Sequence, residues 1–259
     1  MRVVILPTET EASNFAGQFV ADYMNNNKNP VVGLATGSSV LLTYEVLISH
    51  YKEEKLSFKN TITFNLDEYV GLPINHVQSY RNYMNQKLFD HVDIHQSNTY
   101  IPECFDDNFD KACSNFEDDI KKYGGIGLQL LGVGSNGHIG FNEPTSSLQS
   151  RTRVKTLTKN TLSKNARFFE ANEKQPSLAI TMGIGTIMEA KSILLIGLGK
   201  HKSKAVADVI EGPLSAFCPG SALQNHKNVT VVLDTLAAKD LKLFDYYIQT
   251  EKMKSKYNC

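Results

Sequence analysis

Leu128-Gln129-Leu130-Leu131-Gly132-Val133-Gly134-Ser135-Asn136-Gly137-His138-Ile139-Gly140-Phe141-Asn142-Glu143-Pro144 runs from an apolar stretch straight into a glycine-rich polar loop. A short apolar run of this kind suits a strand covered by helices on both faces. The loop then falls at the strand's carboxyl end, where open α/β sheets bind their ligands. The rest of the chain repeats the pattern. Apolar runs fall at 3–6, 31–35, 61–65, 128–133, 178–181, 192–198 and 229–234, and amphipathic stretches lie between or beyond them at 11–25, 40–52, 79–89, 110–123, 202–210 and 237–254. Strand–helix alternation predicts βαβ units with right-handed crossovers and a mostly parallel sheet. No repeat, low-complexity tract or linker divides residues 1–259, so one α/β domain is expected.

Composition narrows the function. The 259 residues are 41% hydrophobic and 21% charged, with 27 Lys plus Arg against 27 Asp plus Glu. A dedicated nucleic-acid binder carries a basic excess, because phosphate neutralisation supplies most of its affinity; none is present. No apolar run approaches the roughly 18 to 20 residues needed to span a bilayer, and the apolar start at residues 3–6 is too short for a signal peptide. The four cysteines (Cys104, Cys113, Cys218, Cys259) form no CxxC pair and read as reduced thiols. A cytoplasmic protein without nucleic-acid or membrane partners is the expectation.

The chemistry sits after the strands. Following 31–35 come Thr36-Gly37-Ser38-Ser39 at the start of a helical stretch. Backbone N–H groups, a positive helix end and hydroxyls would suit a phosphate there, although a glycine turn with a serine cap is the simpler reading of the segment alone, since neither a Walker lysine nor G-x-G-x-x-G is present. Following 61–65 come Asp67 and Glu68, adjacent and therefore pointing to opposite sides of an extended chain. One could face the cleft as a general base while the other makes a structural hydrogen bond. In the opening loop, Asn136, His138 and Glu143 bring an amide, an imidazole and a carboxylate together, an arrangement suited to proton transfer near neutral pH. The spacing of His138 and Glu143 invites a metal, yet no third ligand is marked in the sequence, so none is expected.

Three of the five arginines, Arg151, Arg153 and Arg167, fall within seventeen residues of a chain that otherwise uses lysine. Either bidentate anion binding or surface ion pairing accounts for them. Gly197-Leu198-Gly199-Lys200-His201-Lys202 opens another helix and offers a second anion site with mobile cations. The scattered aromatic residues read as core.

Together these segments closely resemble the glucosamine-6-phosphate deaminase (glucosamine-6-phosphate isomerase) family. The likeness rests on residues 33–39, Thr63-Phe64-Asn65-Leu66-Asp67-Glu68-Tyr69-Val70-Gly71-Leu72, residues 132–144, 146–158, Asn165-Ala166-Arg167-Phe168-Phe169 and Ser221-Ala222-Leu223-Gln224. It covers nearly the whole length apart from the last residues. The resemblance implies a Rossmann-like doubly wound sheet and conversion of glucosamine 6-phosphate and water into fructose 6-phosphate and ammonia, without a cofactor, in amino-sugar catabolism and N-acetylglucosamine degradation. It implies that Asp67 moves a proton between C2 and C1, and that His138 opens the pyranose ring with help from Glu143 and Asn136. The phosphate would lie among Gly37, Ser38, Ser39, Arg167 and Lys202. Some family members are hexamers with a second, regulatory site for N-acetylglucosamine 6-phosphate, matched here by Ser146, Arg153, Lys155, Thr156 and Tyr246; others are unregulated monomers, and both states stay open.

Two positions depart from the family pattern. Asn136 stands where many members carry Asp, so altered pH dependence is expected. Ser38 stands where glycine is common. Two other readings compete: a 6-phosphogluconolactonase-like hydrolase acting through His138, and a non-catalytic sugar-phosphate sensor. Asp67 in its Phe-Asn-Leu-Asp-Glu-Tyr setting speaks against the first. Retention of both Asp67 and His138, without a basic extension, speaks against the second.

Overall fold

The computed structural model describes residues 1–73, 75–103, 108–157 and 175–257. Its strands are β1 (Arg2–Leu6), β2 (Val31–Leu34), β3 (Ile62–Asn65), β4 (Asp67–Tyr69), β5 (Thr99–Tyr100), β6 (Leu128–Gly132), β7 (Arg153–Thr156), β8 (Leu178–Thr181), β9 (Ser192–Gly197) and β10 (Val229–Asp234). The helices are α1 (Glu9–Asn25), α2 (Ser38–Lys52), α3 (Tyr80–Lys87), α4 (Phe109–Lys122), α5 (Ile184–Met188), α6 (Ser203–Ile210) and α7 (Phe244–Tyr257).

Seven strands form one sheet in the order β1-β10-β9-β6-β2-β3-β5, and every pairing in it is parallel. From β2 the chain moves outward through β3 to β5, then returns to β6 on the other side of β2. Right-handed crossovers therefore place α1, α2 and α3 on one face and α4, α5 and α6 on the other. The expected doubly wound sheet is present, and its continuous apolar runs follow from burial on both faces: β10 is buried at every residue. Phe64 of β3 packs against Phe116 of α4 on one side of the sheet. The strand order reverses between β2 and β6, which opens a crevice at their carboxyl ends.

The run at 178–181 is not in this sheet. It forms β8, the middle strand of a separate antiparallel sheet with β4 and β7. This small sheet carries Asp67 and packs over a satellite cluster of Tyr69, Phe141, Leu157 and Ala179. The last helix begins at Phe244, later than the amphipathic pattern suggests. Ala237 and Ala238 are buried in a turn held by the Asp234 carboxylate instead. Among the described residues, no helix is long and apolar enough to cross a membrane.

Candidate active site

Three catalytic candidates sit on the loop after β6 and form one chain of hydrogen bonds. Asn136 Nδ2 donates to Glu143 Oε2 at 2.7 Å, and His138 Nδ1 lies 2.6 Å from Asn136 Oδ1. An ionised carboxylate only accepts, so the amide must turn its NH2 towards Glu143 and its oxygen towards the ring. His138 is thereby held as the Nδ1–H tautomer with a lone pair on Nε2. Glu143 is buried, and its Oε2 lies 3.5 Å from His138 Nδ1, so a protonated ring would find a negative charge close by. Gly134 makes the ring's position possible: a Cβ there would stand 2.2 Å from His138 Cε1.

The loop is fastened to the small sheet. Phe141 N donates to Thr181 Oγ1, and Asn142 Nδ2 donates to the carbonyls of Ile139 and Met182. Thr181 is the register partner of Asp67. The same fastening brings Asp67 beside the histidine loop, since a Cβ on Gly140 would lie 3.4 Å from Asp67 Oδ2. Burial, then the negative charge of Glu68, pushes the Asp67 carboxyl from 3.8 up to about 8, against a small opposing pull from the Phe141 N–H.

Glu68 does different work from its neighbour. Its carboxylate accepts from the backbone N–H groups of Tyr69, Tyr80 and Arg81, and so caps the start of α3. The adjacent carboxylates thus divide into one buried acid and one structural acceptor.

The helix start after β2 is open. α1, α3 and α4 begin with side-chain caps from Thr8, Ser79 and Asn108, whereas α2 begins at Gly37 without one and without an acidic residue in its first turn. Gly37 has φ 103° and ψ 173°, a conformation essentially confined to glycine. With Ser38 and Ser39 it stands at the crevice, and Ser39 Cβ lies 3.8 Å from where a Cβ on Gly132 of β6 would be. Lys202 ends a short 3-10 turn after β9, the other neighbour of β6. Arg167 lies outside the described residues.

The positions matched to a regulatory site do not share one element. Arg153, Lys155 and Thr156 lie on β7, an edge strand, with Arg153 and Lys155 on the same face. Ser146 is only 3% exposed, and its buried hydroxyl has no hydrogen-bond partner among the described residues. Tyr246 is exposed on α7, which packs on β1 at the edge of the large sheet. Arg151 is structural: it pairs with Glu117 and Glu189, and Glu117 also accepts from Thr152 and Thr186. No group of three or more His, Cys, Asp and Glu among the described residues could hold a metal ion.

The sequence reading missed the tyrosines of α3. Tyr83 Oη donates to the Gly37 carbonyl at 2.8 Å, and Tyr80 Oη donates to Tyr69 Oη at 3.4 Å. Their spacing of three on a helix beginning with Ser79 was the available signal.

Fold and site define a doubly wound α/β protein with a histidine–amide–carboxylate chain and a buried carboxyl near a helix start without a side-chain cap at its switch point. Residues 8–232 match the profile of the glucosamine-6-phosphate isomerases/6-phosphogluconolactonase family, and the chain belongs to it. It is 50% identical to a glucosamine-6-phosphate deaminase of Colwellia psychrerythraea over 259 residues, covering 100% of this chain and 97% of the relative. To one of Shewanella halifaxensis it is 49% identical, covering 98% and 97%. A solved structure described as a monomeric glucosamine-6-phosphate deaminase superposes with a TM-score of 0.89 at 43% identity, covering 92% of this chain and 99% of that one. A 6-phosphogluconolactonase from Trypanosoma cruzi shares the fold, with a TM-score of 0.72 at 19% identity over 93% and 97% of the chains.

Proposed function

We propose that the chain converts glucosamine 6-phosphate and water into fructose 6-phosphate and ammonia, as a cytoplasmic enzyme of amino-sugar breakdown that needs no cofactor. One observation carries this reading: a buried carboxyl with a pKa raised to about 8 stands against the loop that carries a histidine whose tautomer is fixed. Aldose–ketose chemistry needs both, one group at carbon and one at the ring oxygens.

In this reading His138 Nε2 takes the proton from the C1 hydroxyl of the pyranose and returns it to the ring oxygen, which opens the sugar. The Asn136–Glu143 chain steadies the imidazolium that forms between the two steps. Asp67 then removes the C2 proton while the C1 oxygen takes a proton from the substrate's own ammonium group, which gives an enolamine, and Asp67 delivers its proton to C1. The resulting C2 imine adds water and releases ammonia, leaving the ketose. A carboxylate made basic by burial is a stronger acceptor for a carbon acid than an exposed one, and its pKa lies near working pH. Gly37, Ser38 and Ser39, with Lys202 and Arg167, hold the phosphate at the other end of the substrate.

Ammonia release from glucosamine 6-phosphate tests the proposal directly. Release matched one to one by fructose 6-phosphate supports it. No ammonia from the amino sugar, with hydrolysis of 6-phosphogluconolactone instead, would replace it with the lactonase reading.

A further inference from the structure

A tyrosine on α3 grips the loop that carries the proposed phosphate site. Tyr83 Oη donates to the Gly37 carbonyl at 2.8 Å, whereas Tyr80, one turn earlier, donates to Tyr69 Oη at 3.4 Å. The Gly37 carbonyl and the Ser38 N–H belong to one planar trans peptide, so the two groups point in opposite directions. A donor that holds the carbonyl on the α3 side therefore turns the Ser38 N–H away from α3, out of the helix start. Gly37, at φ 103°, has no side chain to hold this peptide, and no described residue lies within 4 Å of where its Cβ would be. As the N-cap of α2 its carbonyl also accepts the first intrahelical bond, and Tyr83 supplies the second donor that a carbonyl oxygen can take.

We infer that Tyr83 is a positioning residue for phosphate binding: its hydroxyl fixes the Gly37–Ser38 peptide so that the Ser38 N–H is presented to the anion. This rests on the placement of the phosphate at Gly37, Ser38 and Ser39 proposed above. α3 is itself held by Glu68, whose carboxylate accepts the Tyr80 and Arg81 N–H groups next to Asp67. The peptide that meets the phosphate and the carboxylate that meets C2 are thus referred to the same helix.

The test compares Tyr83→Phe with wild type in three measurements: KM and kcat for glucosamine 6-phosphate, the competitive inhibition constant of inorganic phosphate, and the melting temperature. The phenyl ring keeps the packing and deletes only the donor. Loss of one neutral hydrogen bond predicts a rise of about three- to tenfold in both KM and the phosphate inhibition constant, with kcat and melting temperature unchanged. Gly37→Ala is measured alongside, because it disturbs the loop whatever Tyr83 does. Wild-type values in Tyr83→Phe with raised constants in Gly37→Ala would overturn the role of Tyr83 and leave the phosphate site standing. Wild-type values in both variants would overturn the site and the inference together. A lowered kcat or melting temperature with an unchanged phosphate constant would make Tyr83 merely structural and overturn the inference.

Discussion

Replacing Asp67 with Asn removes an ionisable group from a place that resists charge. The residue is 5% exposed and its pKa rises from 3.8 to about 8, through burial and the charge of Glu68. The folded chain keeps this proton at pH values where the unfolded chain has released it. Folding therefore takes up a proton between 3.8 and about 8, and stability falls as pH rises through that window. One proton corresponds to about 1.4 kcal/mol per pH unit, so between about pH 5 and pH 7 Asp67 removes roughly 3 kcal/mol of stability. Asn does not titrate, and the other groups titrate alike in both proteins. The stability difference should widen by that amount in favour of Asp67→Asn, or by roughly 6 to 12 °C in melting temperature for a chain of this size. Unfolding both proteins at the two pH values measures it. On the same samples kcat should fall by about 100-fold or more, because Asn cannot accept the C2 proton, while sugar-phosphate binding persists. A stability difference that stays constant between the two pH values would show that Asp67 ionises like an exposed carboxylate. Normal turnover would remove it from the mechanism.

The same pKa predicts that kcat/KM rises with pH through about 8, where free Asp67 becomes the base; a profile flat over that range would contradict it. Asn136→Asp puts a carboxylate against His138 Nδ1–H, favouring the imidazolium, and should alter the pH profile of kcat/KM; an unchanged profile would contradict the contact. His138→Gln should slow conversion of cyclic glucosamine 6-phosphate far more than C1-proton exchange from open-chain fructose 6-phosphate, and equal loss in both assays would mean a general structural role. Lys202→Ala and Arg167→Ala should raise KM with little change in kcat, by about 1.5 to 3 kcal/mol each, and should hardly affect a substrate without phosphate. Ser146 is buried and Tyr246 lies on a separate edge, so substrate curves should be hyperbolic and unchanged by N-acetylglucosamine 6-phosphate; a sigmoidal curve made hyperbolic by it would establish a second site.

The parallel sheet was legible because residues such as Val31, Val32 and Leu34, or Leu194, Leu195 and Ile196, form short apolar runs that only two-sided burial explains. The small sheet was not. β4 reads Asp-Glu-Tyr and β7 reads Arg-Val-Lys-Thr, and neither carries an apolar pattern. Their pairing is set by β8 between them, a tertiary fact without a local signature. In the site, the loop from Asn136 to Glu143 announced itself through its glycines. The division of labour between Asp67 and Glu68 followed from alternation along an extended chain. Tyr83 was hidden because an aromatic residue on an amphipathic helix looks like core, and only the Gly37 carbonyl opposite its hydroxyl shows otherwise.

The small sheet also has a consequence for how binding energy is spent. Asp67 pairs with Thr181, and Thr181 pairs in turn with Arg153, so the proposed base lies in one row across β4, β8 and β7. The chain that leaves β7 and returns to β8 contains Arg167, the proposed phosphate ligand. The proposed base and the proposed phosphate ligand are thus joined along the chain through the strands of one small sheet. A substrate analogue cut off before its phosphate should forfeit affinity with little loss of rate, as the Lys202 and Arg167 variants should.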